Sequence, residues 1–242
     1  MTITFKMGAA LLPLAIALAA CSAEPDTPNN APLQEAAHHY YVQDISRSLK
    51  IDDAEMALAI ERVIGDDMKR SVQLGDSIAY YETGSLAASR MVAKLNIVTD
   101  YSLRVPAAHA KLVQAMHDSA ARFAASGGDD ATNLLASLEA IQPKCSNRST
   151  VTLISDGIES GTYSAARALA TGVAVDFGEP PSRRALAGCR IRFIGFGITT
   201  DAITQEAQLL PSRQLAALRL GWVRYLTAEG VLPENIEFVS TL

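Results

Sequence analysis

The chain has 242 residues, 49% of them apolar and 19% charged, with a formal net charge of −5. That composition supports one sizeable packed core and excludes a disordered chain. No basic tract is present, which argues against a nucleic-acid binder, whose affinity rests on Lys and Arg meeting phosphates.

The first twenty residues read as a leader outside the fold. Lys6 gives a weakly positive start, and the apolar run "MGAALLPLAIALAACS" has the length of a signal peptide, short for a bilayer span. It ends in Leu18-Ala19-Ala20-Cys21, which resembles the lipobox of bacterial lipoproteins. The resemblance implies that Cys21 is lipidated, that the chain leaves the cytoplasm, and that a lipid anchor holds it to a membrane of the cell envelope on the periplasmic side. Ser22, where inner-membrane retention signals usually carry Asp, leans towards the outer membrane. An ordinary secretory signal cut near the same place is the alternative. Residues 21–38, with three prolines and no periodicity, read as a flexible tether; His38-His39 at its edge reads as a solvated pair.

From residue 39 to 242 strands and helices alternate. Tyr40 to Gln43 is a short buried strand. "DDAEMALAIERVIGDDMKR" follows as a helix, with acids in its first turn and Met56, Ala59, Ile60 and Val63 at helical spacing. "DSIAYYET" and "RMVAKLNIV" are strands whose short connection predicts an antiparallel pair. "PAAHAKLVQAMHDSAARFAA" is a helix opening on Pro106. "ATNLLASLEAI" is a short helix behind a Gly-Gly-Asp-Asp loop. "VTLIS", "IRFIGFGI" and "IEFVS" are further strands, with helices "YSAARALAT" and "SRQLAALRLGWVRYLTAEG" between them. Trp222 and Tyr225 on the last helix read as core. The pattern predicts an α/β fold: a doubly wound, mostly parallel sheet with one antiparallel edge strand and helices on both faces. Ligands bind such sheets at the carboxyl ends of the strands, near the switch point of strand order.

Cys145 and Cys189 each lie shortly before a buried strand. In an oxidising compartment the two are expected to be joined, with two free buried thiols as the alternative.

The residues that carry chemistry stand at strand ends. The first strand hands over to its helix through Asp44, Ser46 and Ser48, two apart, so that in an extended segment all three point the same way. "VTLISDGIESG" ends another buried strand on Asp156-Gly157, and "GGDDATNLL" puts Thr132 in a Gly-rich loop at a helix start. Oxygen-only side chains suit hard divalent ions. The simpler readings are helix caps at Ser46, Ser48, Thr132 or Asp130 and a plain turn at Asp156-Gly157. Taken in order, Asp-x-Ser-x-Ser, then Thr, then strand-Asp-Gly resembles the metal-ion-dependent adhesion site of von Willebrand factor A domains, over about residues 40 to 240. The resemblance implies Mg²⁺ (or Mn²⁺) held directly by Ser46 and Ser48, with Thr132 a third ligand, direct or through water depending on the state of its loop, and Asp44 and Asp156 acting mostly through water or hydrogen bonds. It also implies an open position that a Glu or Asp of a protein partner fills, and no catalysis. Thr83 and Thr99 are possible substitutes for Thr132, and Glu159 could swing towards the ion, although a solvated Glu is the simpler reading. The alternative is a structural envelope lipoprotein that binds no metal.

A weaker alternative comes from Gly75-Asp76-Ser77-Ile78, which looks like the nucleophile block of GDSL-type esterases. That family takes its base from a late histidine, and the last histidine here is His117, so Ser77 is expected to lack one.

Overall fold

The computed structural model describes residues 35–46, 54–83, 90–96, 101–126, 131–161, 164–181, 184–200, 204 and 206–240. The leader, Cys21 and most of the tether lie outside these residues, as do Ser48, Thr99 and Asp130. In chain order the elements are β1 (His38–Asp44), α1 (Ala54–Ser71), β2 (Ser77–Thr83), β3 (Arg90–Asn96), α2 (Tyr101–Ser126), α3 (Leu134–Ile141) and β4 (Thr150–Ile154). They continue with α4 (Ala165–Thr171), β5 (Arg190–Ile194), β6 (Ile198–Thr200), β7 (Ala207–Leu209), α5 (Ser212–Ala228), a 3₁₀ turn (Pro233–Asn235) and β8 (Ile236–Val239). Among the described residues no helix is long and apolar enough to cross a membrane.

Six strands form one sheet in the order β3-β2-β1-β4-β5-β8, parallel throughout except that β3 runs antiparallel to β2 at the edge. The chain is therefore a doubly wound α/β domain with one antiparallel edge strand. The order reverses between β1 and β4: β2 lies on one side of that pair, β5 and β8 on the other. In sheets of this kind ligands bind at such a switch point, beyond the carboxyl ends of two neighbouring strands.

Alternation along the strands divides the core. Tyr40, Val42, Val151, Leu153, Ile191 and Phe193 face one layer, packed with Leu134 and Leu138 of α3, Leu169 of α4, and Leu218, Trp222 and Leu226 of α5. Tyr41, Ile78, Tyr80, Ile154 and Ile194 face the other, under α1 and α2. In α1 the buried Met56, Ile60, Ile64 and Met68 recur every four residues, one stripe of a helix. Gly65 lets α2 approach closely, since a Cβ there would stand 3.1 Å from His109 Nε2.

At the amino edge of the sheet Asp76 ties the entering chain down. Its Oδ1 accepts from Ala37 N at 2.8 Å; its Oδ2 accepts from Gln73 N at 2.7 Å and Arg148 Nη2 at 2.6 Å, and faces His39 Nε2 at 3.2 Å. Cys145 and Cys189, in the loops that enter β4 and β5, are joined at an S–S distance of 2.06 Å. A loop of this size contributes about 3–4 kcal/mol to stability in the chain-entropy picture.

The structure corrects three readings. His38-His39 is not a solvated linker pair: β1 starts at His38, and His39 is buried between Thr150 Oγ1, 2.9 Å from its Nδ1, and Asp76. Helix α2 begins at Tyr101, so Pro106 lies inside it; one missing N–H is tolerated in a helix of this length. "IRFIGFGI" is two strands. Gly195 and Gly197 take left-handed φ of 84° and 75°, β5 stops at Ile194, and β6 leaves the sheet to pair antiparallel with β7.

Asp76 satisfies four groups in a dry setting. Burial alone would raise its carboxyl, but hydrogen bonds from His39, Ala37 N and Gln73 N outweigh that and hold it below the usual carboxylate range. Its contribution is therefore present above the unfolded carboxylate pKa and lost as pH falls through the depressed one. Asp76→Asn should lower the unfolding free energy by about 3 kcal/mol at pH 7, read by urea denaturation, and the difference should shrink in acid.

Candidate functional site

Asp44 is the last residue of β1 and is fully buried. Its Oδ1 accepts from Ser46 N at 2.8 Å. Its Oδ2 accepts from Thr132 Oγ1 at 3.0 Å and from Ser155 Oγ at 2.8 Å. The Ser46 hydroxyl bonds the same carboxylate. Three segments far apart in sequence thus meet on one side chain. Parallel register explains the third: Gln43 pairs with Ile154, so Ser155 and Asp156 extend β4 beside the end of β1.

Two loops are knitted together around this point. Ser160 Oγ accepts from Thr132 N at 2.7 Å, while Ser160 N and Gly161 N donate to Thr132 O, each at 3.1 Å. Asp156 Oδ1 accepts from Ile158 N at 2.8 Å, and Asp156 O accepts from Gly197 N at 2.8 Å. Gly157 takes φ 75°, and a Cβ there would meet the Phe196 ring at 2.7 Å. Trp222 Nε1 donates to Gly157 O at 2.8 Å, so the core tryptophan of α5 fixes the loop that carries Asp156.

Of the residues singled out in the sequence, Asp44, Ser46 and Thr132 are in direct contact, and Asp156 is on the adjoining loop, buried. Thr132 does not cap α3: the N-cap is Asn133, without a side-chain cap bond. Thr83 ends β2 at the same edge, but its hydroxyl turns to Ser137 and to Asn133 O. Ser155 was missed; it sits one residue before Asp156 and reads as the end of an apolar strand.

Glu159 is fully buried rather than solvated. Its Oε2 accepts from Leu135 N at 3.2 Å and its Oε1 from Gly161 N at 3.0 Å. Burial pushes its carboxyl up to about 7, against those backbone amides, and the charge of Asp44 adds to the rise. Burial likewise raises Asp44, opposed by its bonds from Ser155, Ser46 and Thr132. Among the described residues the groups that hold these two acids are hydroxyls and backbone amides, not cations. Nor do the described residues include a cluster of three or more His, Cys, Asp or Glu arranged to hold a metal; any ion here would rest on hydroxyl as well as carboxylate oxygens.

Ser77 does have a histidine. The register of β1 and β2 sets His38 opposite it, with His38 Nδ1 2.7 Å from Ser77 Oγ. The pair sits at the amino edge, opposite the end that holds Asp44, and the neighbouring Asp76 is occupied by the contacts described above.

No family model matches the chain, and no curated protein matches it. Among solved structures it is similar to an aerotolerance-related membrane protein from Bacteroides fragilis NCTC 9343, a form with multiple mutations to serine. Identity is 12% and the TM-score 0.44, over 86% of this chain and 92% of that one. It is also similar to proximal thread matrix protein 1 from the mussel byssus, at 11% identity and a TM-score of 0.44, over 85% of this chain and 44% of that one.

Glu159 makes a pH prediction. A carboxyl that titrates near 7 when folded and near 4.5 when unfolded favours the fold below pH 4.5 and loses that contribution as pH rises through 7. With divalent ions chelated, stability should fall over this interval, by on the order of 3 kcal/mol from this group. Glu159→Gln should flatten that part of the slope in urea titrations between pH 5 and pH 8.

Proposed function

We propose that this is a von Willebrand factor A-like domain of an envelope lipoprotein, anchored through Cys21, that uses a divalent ion to grip an acidic group on a protein partner. The observation that carries the reading is the convergence of Ser46, Thr132 and Ser155 on the buried carboxylate of Asp44 at the sheet's switch point.

The donor set fits a hard cation. Asp44, Ser46, Thr132 and Asp156 offer oxygen only, and buried acids held by neutral donors gain from a compensating positive charge. Ser48 completes the set by sequence. Asp44 accepts the hydroxyl protons of Thr132 and Ser155, which leaves the oxygen lone pairs of Thr132 for a further contact, while Ser155 Oγ already accepts from Gly157 N at 3.0 Å. Asp156 is fixed by its turn and by Trp222 through Gly157. Mg²⁺ or Mn²⁺, when bound, supplies positive charge and a position for a Glu or Asp side chain from the partner. The chain's own part is to hold the oxygens ready and to keep the rim rigid. The role is docking, for adhesion or assembly, rather than turnover.

Titration calorimetry of the mature domain with Mn²⁺ and Mg²⁺ tests this, beside Asp44→Ala and the milder Thr132→Val. Binding should weaken at least about 10-fold in both variants while circular dichroism shows Thr132→Val folded. Equal, negligible heats in all three proteins would favour an envelope protein that binds no metal.

A further inference from the structure

Strands of a parallel sheet are usually apolar on both faces. Here β4 and β5 are not. Val151, Leu153, Ile191 and Phe193 enter one core layer, whereas Thr150, Thr152, Arg190 and Arg192 lie on the opposite face. Register assembles these into rows. Tyr41, Thr152, Arg192 and Glu237 are successive partners across β1, β4, β5 and β8, and His39, Thr150 and Arg190 form a second row towards the amino edge.

The rows floor a cavity of about 540 Å³, walled by Asp67 and Arg70 at the end of α1 and by Glu234 before β8. Arg192 Nη1 stands 3.0 Å from Asp67 Oδ1, and its Nε 3.2 Å from Glu237 Oε2. Thr152 Oγ1, Tyr41 Oη and Asp67 Oδ2 are buried without a hydrogen-bond partner in the protein. Thr152 and Asp67 line the cavity itself. Tyr41 lies within electrostatic reach of it: burial and Asp67 push its phenol up, and Arg192 opposes them. Orphaned buried polar atoms are costly, and two on residues that line one cavity point to a polar partner from outside the chain.

The charges select its class. Arg70, Arg190 and Arg192 balance Asp67, Glu234 and Glu237 around the lining. A polyanion or a polycation meets as much repulsion as attraction there. A neutral polyol would bond the hydroxyls but compensate neither sign. Arg192 already pairs with Asp67 and Glu237, so a zwitterion meets the remaining charges of both signs, its ammonium at the Glu234 side and its carboxylate at Arg70 and Arg190. The volume lies in the ordinary range of small-molecule sites. We propose that this cavity is a second ligand site, independent of the oxygen cluster at the carboxyl edge, which takes a small zwitterion of the amino-acid or short-peptide class with both termini free.

The test titrates the folded chain, in the presence of chelator, with L-alanyl-L-alanine and with the same dipeptide acetylated and amidated. It follows the thermal midpoint and backbone amide shifts. The free dipeptide should give a saturable response at millimolar concentration, centred on residues 150–152 and 190–192. The capped peptide should bind at least about 10-fold more weakly, since it carries neither charge. Thr152→Val removes an orphan hydroxyl from the lining, so it should melt at or above the wild type while losing about 10-fold in affinity. No saturable response up to about 20 mM, equal binding of free and capped peptide, or unchanged affinity in Thr152→Val would overturn the proposal.

Discussion

The carboxyl edge of the sheet is organised by one buried carboxylate. Asp44 ends the central strand, fully buried, and hydroxyls and an amide from Ser46, Thr132 and Ser155 come to it. These donors sit on three loops whose positions depend on different parts of the fold. Ser46 follows β1 directly. Ser155 is set by the pairing of β1 with β4. Thr132 is held by the loop of residues 156–161, itself fastened to α5 through Trp222 and Gly157. Loss of the carboxylate would leave three buried hydroxyls without this acceptor and remove the reason for the three loops to meet.

The opposite edge has a different task. There Asp76, Arg148 and His39 fasten the entering chain to the start of β2 and β4, and the Cys145–Cys189 bridge joins the loops that lead into β4 and β5. Fixing the strands at their amino ends fixes their register, and register delivers Ser155 to Asp44. It also builds the polar rows through Thr152 and Arg192 on the face beside α1. One set of strand pairings thus shapes both the rim and the cavity.

Much of this architecture was legible in the sequence, because buried strands and amphipathic helices write their periods plainly. The strand–helix order and the antiparallel β2–β3 pair follow from residue patterns, whereas the placing of Thr132 with Asp44 and Ser46 comes from the resemblance of their order to a metal-ion-dependent adhesion site. What escaped notice depends on neighbours distant in sequence. Ser155 looks like the tail of an apolar strand until pairing sets it beside Asp44. His39 looks like a linker residue until Thr150 and Asp76 enclose it, and His38 reaches Ser77 only through the β1–β2 register. The two-glycine turn after Ile194 was hidden because Ile198 continues the apolar run. The orphan hydroxyls of Tyr41 and Thr152 carry no local signature, since orphanhood is a property of the packed whole.

The central claim is that the oxygens gathered on Asp44 hold a divalent cation, and Mn²⁺ offers a direct reading because its unpaired electrons broaden nearby amide resonances. Spectra of the mature domain titrated with substoichiometric Mn²⁺ should lose the amides of Ser46, Thr132, Ser155 and Gly157 first, with Asp44→Ala unaffected at the same concentration. Broadening centred elsewhere in the domain, or an identical pattern in the variant, would contradict it.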